Sequence, residues 1–304
     1  MSAADIPQRR DTIDLTAASI MIFLTVSWGL NGVAAKFAYL GFSPVFLSMA
    51  RSALGAVIIY AWCRYRGVRL FERDGTLWAG IIAGILFSGE FLLVFAGLEY
   101  TTVARSTLLL NGMPFWVLIG GHFLLGERMT VQKCLGLALA FAGVVVVFSD
   151  KLSSPGPQAI IGDVMALLAG VFWAATTLVI RASRLANVGS EKLLLYQLVV
   201  ATITAIPFLP FENEVFRDIS WVPVTAVLFQ AVYVVAFTYI VWFWLLRRYP
   251  AAGLSSFAFL TPICGVLFGG MMLGEPLGQK IYLALGLIVC GIIVVNRPVR
   301  RPPV

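Results

Sequence analysis

Ten apolar runs of about 20 residues each, with nearly all of the charge collected in short stretches between them, leave this chain very little choice of fold. A helix of about 20 residues crosses a hydrocarbon core of about 30 Å. Breaking the sequence at its charge, Pro and Gly clusters gives spans at 17–38, 43–63, 76–98, 101–125, 130–149, 160–182, 191–211, 220–246, 250–273 and 278–296. No connection is longer than about 14 residues, so the expectation is an all-α, multi-pass membrane protein without a soluble domain. Composition agrees: 60% of the residues are hydrophobic and 12% charged, against roughly a quarter charged in a soluble domain.

The net charge of +7 would suggest nucleic acid in a soluble protein. Here it sets orientation instead. An even number of spans puts both termini on one side, and a cytoplasmic N-terminus places sixteen Lys and Arg inside and five outside, with Arg51 left within the second span. That asymmetry is the positive-inside pattern, and it predicts both termini in the cytoplasm. The run that begins near residue 17 is too long for a signal-peptide core and reads as a retained span. Cys63, Cys134, Cys264 and Cys290 lie in or beside apolar runs without CxxC spacing and read as packing residues.

One stretch is written twice. Residues 110–129 read LNGMPFWVLIGGHFLLGERM and residues 258–277 read AFLTPICGVLFGGMMLGEPL. Pro114 matches Pro262, Gly121 matches Gly269 and Leu125-Gly126-Glu127 matches Leu273-Gly274-Glu275, all at an offset of 148. Weaker matches lay Trp28 to Lys36 over Trp173 to Arg181, and Tyr100-Thr101-Thr102 over Tyr249-Pro250-Ala251. The Ser153-Ser154-Pro155-Gly156-Pro157 linker divides the chain into 1–152 and 158–304, five spans each. Because five is odd, the second half enters the membrane from the opposite side, the inverted repeat from which many secondary transporters are built.

Two five-span halves, a Tyr-Thr/Pro segment opening spans four and nine, a mid-span Pro and a repeated Leu-Gly-Glu ending resemble the drug/metabolite transporter superfamily, and within it the EamA-type permeases. In length and aromatic content the chain is similar to the YddG-type aromatic amino-acid exporters. The resemblance covers nearly all of residues 17–296. It implies a basket of helices around a central cavity faced by spans one, three, four, six, eight and nine, with spans five and ten outside.

Several residues stand out against this background. A Pro within a helix frees the carbonyl four residues earlier, at Leu110 and Ala258, and in a bilayer such carbonyls must face protein or a wet cavity. Pro114 and Pro262 are therefore hinge candidates, with a packing kink as the alternative. Glu90 is the only acid near the middle of a span, where an unpaired charge costs about 2.5–3.5 kcal/mol or more. It binds an ammonium group, carries a coupling proton, or serves as a structural partner, Arg51 being the nearest candidate. Trp28 and Trp173 lie mid-span at matching positions, and with Asn31, Phe87, Phe91, Asn111, Thr177, Tyr233, Tyr239 and Phe257 they are candidates for an aromatic cavity wall with few polar groups. The alternative for each ring is ordinary packing, and for Trp78, Trp221 and Tyr282 near span ends an interfacial belt. Lys36 and Arg181 are expected to snorkel to headgroups, the alternative being that they turn inward and give the cavity a cation at each mouth, and Glu127 and Glu275 are expected to fix helix ends.

The chain has one histidine, His122, and no HExxH, GxSxG or P-loop. No catalytic residues, metal or cofactor are expected, nor ATP-driven transport. The expected function is a secondary transporter in a bacterial inner membrane that exports small organic metabolites by alternating access. Amino acids with aromatic or apolar side chains are the leading substrates, and a proton is a candidate coupling ion. A multidrug exporter of the same fold and a non-transporting membrane scaffold are the alternatives.

Overall fold

The computed structural model describes residues 10, 12–152, 156–274 and 278–297. Glu275, the Ser153-Ser154-Pro155 part of the linker and the cationic residues Arg9, Arg300 and Arg301 lie outside the described residues. Among the described residues, nine helical segments are long and apolar enough to cross a membrane. The tenth predicted span is an apolar helix of 17 residues, Lys280–Asn296, roughly 25 Å long at 1.5 Å per residue.

The first half contains α1 (Leu15–Ala38), α2 (Pro44–Tyr65), α3 (Leu77–Gly97), α4 (Val103–Leu110), α5 (Met113–Leu125) and α6 (Val131–Phe148). The second contains α7 (Ala159–Ala182), α8 (Ser190–Ala205), α9 (Trp221–Phe229), α10 (Tyr239–Arg248), α11 (Ala251–Ser256), α12 (Leu260–Leu273) and α13 (Lys280–Asn296). Local sequence sets many of the ends. Asp14, Ser43, Thr102 and Thr130 each accept a hydrogen bond from a backbone N–H of the first turn they precede, which satisfies donors that a helix leaves open. Gly126 and Gly274 end α5 and α12 at the same φ of 68°, a left-handed C-cap that glycine adopts without a Cβ penalty. The twice-written Leu-Gly-Glu is therefore a helix stop.

Four predicted spans depart from continuous α-helix, span seven only in its last residues, where Ile206–Phe211 forms a 3₁₀ segment. Span four breaks at Asn111–Gly112, just before Pro114, and Asn111 Nδ2 turns back to donate to Thr107 O at 2.8 Å. Span nine narrows to a 3₁₀ turn at Phe257–Phe259, just before Pro262. The two interruptions precede the two matched prolines. Span eight carries a nine-residue π-helical stretch, Gln230–Thr238, between α9 and α10. Its wider turn brings residues four apart nearly into line, so Phe229, Tyr233 and Phe237 stack with centroids 5.2 and 5.9 Å apart. Periodicity at 3.6 residues could not foresee this segment.

Close contacts follow small residues. The α6–α13 seam brings backbone against backbone: a Cβ on Gly291 would lie 2.5 Å from Ala140 N, and one on Gly143 would lie 2.7 Å from Ala284 O. Bilayer helices without a hydrophobic drive to associate pack in this way. Across α3 and α7, Gly162 meets Gly97 O, and Arg105 of α4 forms an ion pair with Asp163 of α7. Large apolar side chains such as Val57, Leu135, Ile160 and Ile293 point outward from the bundle, which suits a hydrocarbon surround. Trp78, Trp221 and Tyr282 lie exposed near helix ends.

The bundle has two distinct ends. At one, Tyr249 Oη donates to Asp14, and Gly253 packs against both Ile13 and Asn296, so the two ends of the described chain share this face. At the other, the α1–α2 and α8–α9 connections pair through Ser43 N to Val215 O at 3.0 Å and Arg217 N to Gly41 O at 2.9 Å. There Glu212 accepts from Val45 N at 3.1 Å and caps α2.

Candidate functional site

A cavity of about 520 Å³ occupies the centre of the bundle, within the 300–1,000 Å³ range common to small-molecule sites. Its walls come from α1, α3, α4, α7, α10 and α12, from Phe148 at the end of α6 and from Gln197 of α8. Lys36, Lys151 and the exposed Val103 line it at the end away from the chain termini. Toward the termini it stops at Ile180, Trp242 and Phe243.

The sequence-predicted residues fall into two groups. Trp28, Asn31, Phe87, Glu90, Phe91, Asn111, Trp173, Thr177 and Tyr239 all line the cavity. Tyr233 and Phe257 are placed elsewhere. Tyr233 lies in the π-helical stretch, where its hydroxyl meets Ser27 Oγ at 2.8 Å and its ring is taken up in the Phe229–Phe237 stack. Phe257 is buried in the core of the 3₁₀ turn. Of the two prolines, Pro262 lines the cavity and Pro114 is buried behind it at the start of α5. The carbonyl of Leu110 faces the backbone of Gly170 on α7, where a Cβ would lie 3.0 Å away. It thus meets protein, as a freed carbonyl in a bilayer must.

The rings form one continuous wall. Trp28 meets Tyr239 and Trp242 edge to face at 6.4 and 5.8 Å, Tyr239 meets Phe87 at 6.0 Å, and Phe87 meets Phe91 at 5.2 Å. Trp28 is fixed by its indole N–H, which donates to Thr238 Oγ1 at 3.1 Å. Trp242 joins the wall without having been singled out in the sequence.

Several polar groups of the wall lack a partner among the described residues. Glu90 is buried and makes no ion pair among the described residues. Arg51, its expected partner, lies instead over the Phe91 ring at 4.3 Å and does not belong to the cavity wall. Asn31 Oδ1, Thr261 Oγ1 and both amide atoms of Gln197 are buried without a hydrogen-bond partner among the described residues. A buried polar atom left unpaired costs about 1–3 kcal/mol, a cost these wall residues carry. Gln197 sits on span seven, which the resemblance did not assign to the cavity. A glutamine in a long apolar run was its only signal.

The closed end corrects one expectation. Arg181 does not reach for headgroups; it is buried, with Nη1 donating to Leu246 O at 2.7 Å and Tyr249 O at 2.6 Å, and Nη2 to Glu127 Oε1 at 3.2 Å. Glu127 in turn accepts from Ala251 N at 2.9 Å and Ala252 N at 3.3 Å and so caps α11. A guanidinium this deep needs carbonyl and carboxylate oxygens around it, and the chain at the ends of α10 and α5 supplies them. Glu127 therefore fixes a helix end, and the helix belongs to the other half.

Beneath the same face, Asp74 of the α2–α3 connection pairs with Lys192 Nζ of α8 at 2.7 Å and accepts from Thr76. Burial raises its pKa, but the hydrogen bonds from Lys192 and Thr76 outweigh that and hold it at about 2.

Known proteins resemble this chain in sequence and in fold. The chain is 26% identical over 275 residues to the "Uncharacterized transporter YoaV" of Bacillus subtilis, covering 90% of this chain and 94% of that protein. It is 29% identical to "Uncharacterized transporter YvbV" of the same organism, covering 92% and 91%. To the "Probable amino-acid metabolite efflux pump" of Escherichia coli it is 24% identical over 90% of this chain and 93% of that protein. A solved crystal structure superposes with a TM-score of 0.80 at 21% identity, covering 93% of this chain and 98% of the other, and shares the fold. The pattern of one family matches residues 15–149 and again residues 160–297. A multi-pass membrane protein, the chain belongs to the EamA-like transporter family.

Proposed function

We propose that this protein is a secondary transporter that exports amino acids, preferentially aromatic or apolar ones, across a bacterial inner membrane by alternating access. The supporting observation is the aromatic cavity, which reaches one end of the bundle past Lys36 and Lys151 and stops at the other beneath the Arg181–Glu127 pair. With both termini cytoplasmic, as the distribution of cationic residues indicates, this is an outward-facing arrangement. Relatives named as amino-acid metabolite efflux pumps agree with the substrate class. A scaffold would have no need of a hollow centre walled by unpartnered polar atoms.

In this reading the segments 1–152 and 158–304 are inverted repeats. Spans four and nine bend at the interruptions before Pro114 and Pro262, closing the outer mouth while the Arg181–Glu127 contact opens. No residue performs covalent chemistry. Glu90 is the one carboxylic acid among the described residues that line the cavity, so it is the coupling candidate if export is proton-driven.

Purified protein in proteoliposomes, given labelled amino acids with and without an imposed pH gradient, tests this. Aromatic amino acids are expected to move faster than in empty liposomes. If none does so while amphipathic drugs move, the substrate class belongs to the multidrug alternative. If no compound in either panel moves, the transport reading fails.

A further inference from the structure

Resting on the transporter reading, we propose that the cavity selects substrates by a primary ammonium group, received at Glu90, rather than by a carboxylate. Three observations converge on this. Glu90 lines the cavity without an ion pair among the described residues. Phe87, three residues before it on the same face of α3, and Phe91, the next residue, line the cavity with it. Those rings join the wall of Tyr239, Trp28 and Trp242. A carboxylate set among aromatic rings attracts an organic cation twice, through its charge and through the negative ring faces, at about 0.5–2 kcal/mol for each cation–π contact.

The unpartnered atoms of neighbouring wall residues are mixed: Asn31 Oδ1 and Gln197 Oε1 accept, Gln197 Nε2 donates and Thr261 Oγ1 does both. The carboxyl of Glu90 adds acceptor oxygens to them. An ammonium has three donors and no acceptor. Lys36 and Lys151 line the open end, and Arg51 is held over Phe91 outside the cavity wall, near enough to act on Glu90 through its charge but without pairing with it. A substrate that also carries a carboxylate would enter ammonium first and leave its acid toward the open end. The class is therefore a primary amine on an aromatic or apolar body, with an acid group tolerated but not required.

Isothermal titration of the full-length protein with three ligands sharing one ring tests this. Phenethylamine carries only the ammonium, 3-phenylpropionate only the carboxylate, and phenylalanine both. The two amines are expected to bind and 3-phenylpropionate to bind at least tenfold more weakly. Glu90→Gln, which keeps size and shape, is expected to weaken both amines at least tenfold. Gln197→Leu is expected to raise the melting temperature, because it removes an unpaired buried amide, while weakening amine binding several-fold. Equal or tighter binding of 3-phenylpropionate, unchanged amine affinity in Glu90→Gln, or no amine binding to the native protein would each overturn the proposal. Its failure is distinct from failure of transport: liposome flux of a metabolite without an amine would leave a transporter with a different selectivity.

Discussion

Arg181 Nη2 lies 3.2 Å from Glu127 Oε1, and these residues belong to different halves of the chain. Neither is in contact with the cavity. Removing one partner of such a buried pair leaves a charge uncompensated, at about 3–5 kcal/mol. Glu127→Gln should therefore lower the melting temperature. It should also make a cysteine placed at Ile180, at the cavity floor, reactive to an impermeant reagent from the side of the chain termini. An unchanged melt together with unchanged labelling would mean that the pair holds nothing closed.

The two prolines should behave alike despite their different surroundings. Pro114→Ala and Pro262→Ala each restore a missing N–H and permit a straighter helix. Exchange in proteoliposomes should slow while substrate still binds. Native rates in both variants would reduce the prolines to packing kinks.

Glycines along the α6–α13 seam give a stability test with an internal control. Gly291→Ala would place a methyl 2.5 Å from backbone on α6, whereas Gly286 on the same helix has open space at its Cβ. The first substitution should cost about 1–3 kcal/mol and the second almost nothing. Equal melting temperatures for the two variants would contradict the tight seam.

Asp74 predicts the acid side of the stability curve. Its folded pKa of about 2 lies below its ordinary 3.8, so its contribution is complete above about pH 4 and is lost as pH falls through about 2. Asp74→Asn should be less stable than the native protein at pH 6, and the gap should close on acidification toward pH 2. A gap independent of pH would remove the carboxylate from the explanation.

Much of this was legible in the sequence because a bilayer is a strict solvent. It demands long apolar helices and expels charge, so spans could be found by composition alone, and the glycine of Leu-Gly-Glu could be read as a helix end. Trp28, Glu90 and Asn111 could be singled out because a bulky or polar residue at mid-span needs a reason. What stayed hidden depended on contacts between segments far apart in the chain. Arg181 looked like a snorkelling residue because nothing in its own span shows the carbonyls of Leu246 and Tyr249 that receive it. Gln197 lay on a helix the resemblance had left out. Tyr233 and Phe257 were misplaced relative to the cavity because the π and 3₁₀ segments change which way a side chain points.

That change of direction reaches beyond two misplaced rings. Helical phase advances by about 100° for each residue, so one turn of abnormal pitch resets every position that follows it. Tyr239, Trp242 and Phe243 face the cavity because Gln230–Thr238 precedes them with the pitch that it has. A chain shorter by one residue within that segment could wind as ordinary helix, and the same rings would then look out on lipid. The aromatic wall is thus encoded partly as a count of residues, and a length change there would alter selectivity without exchanging any side chain of the wall.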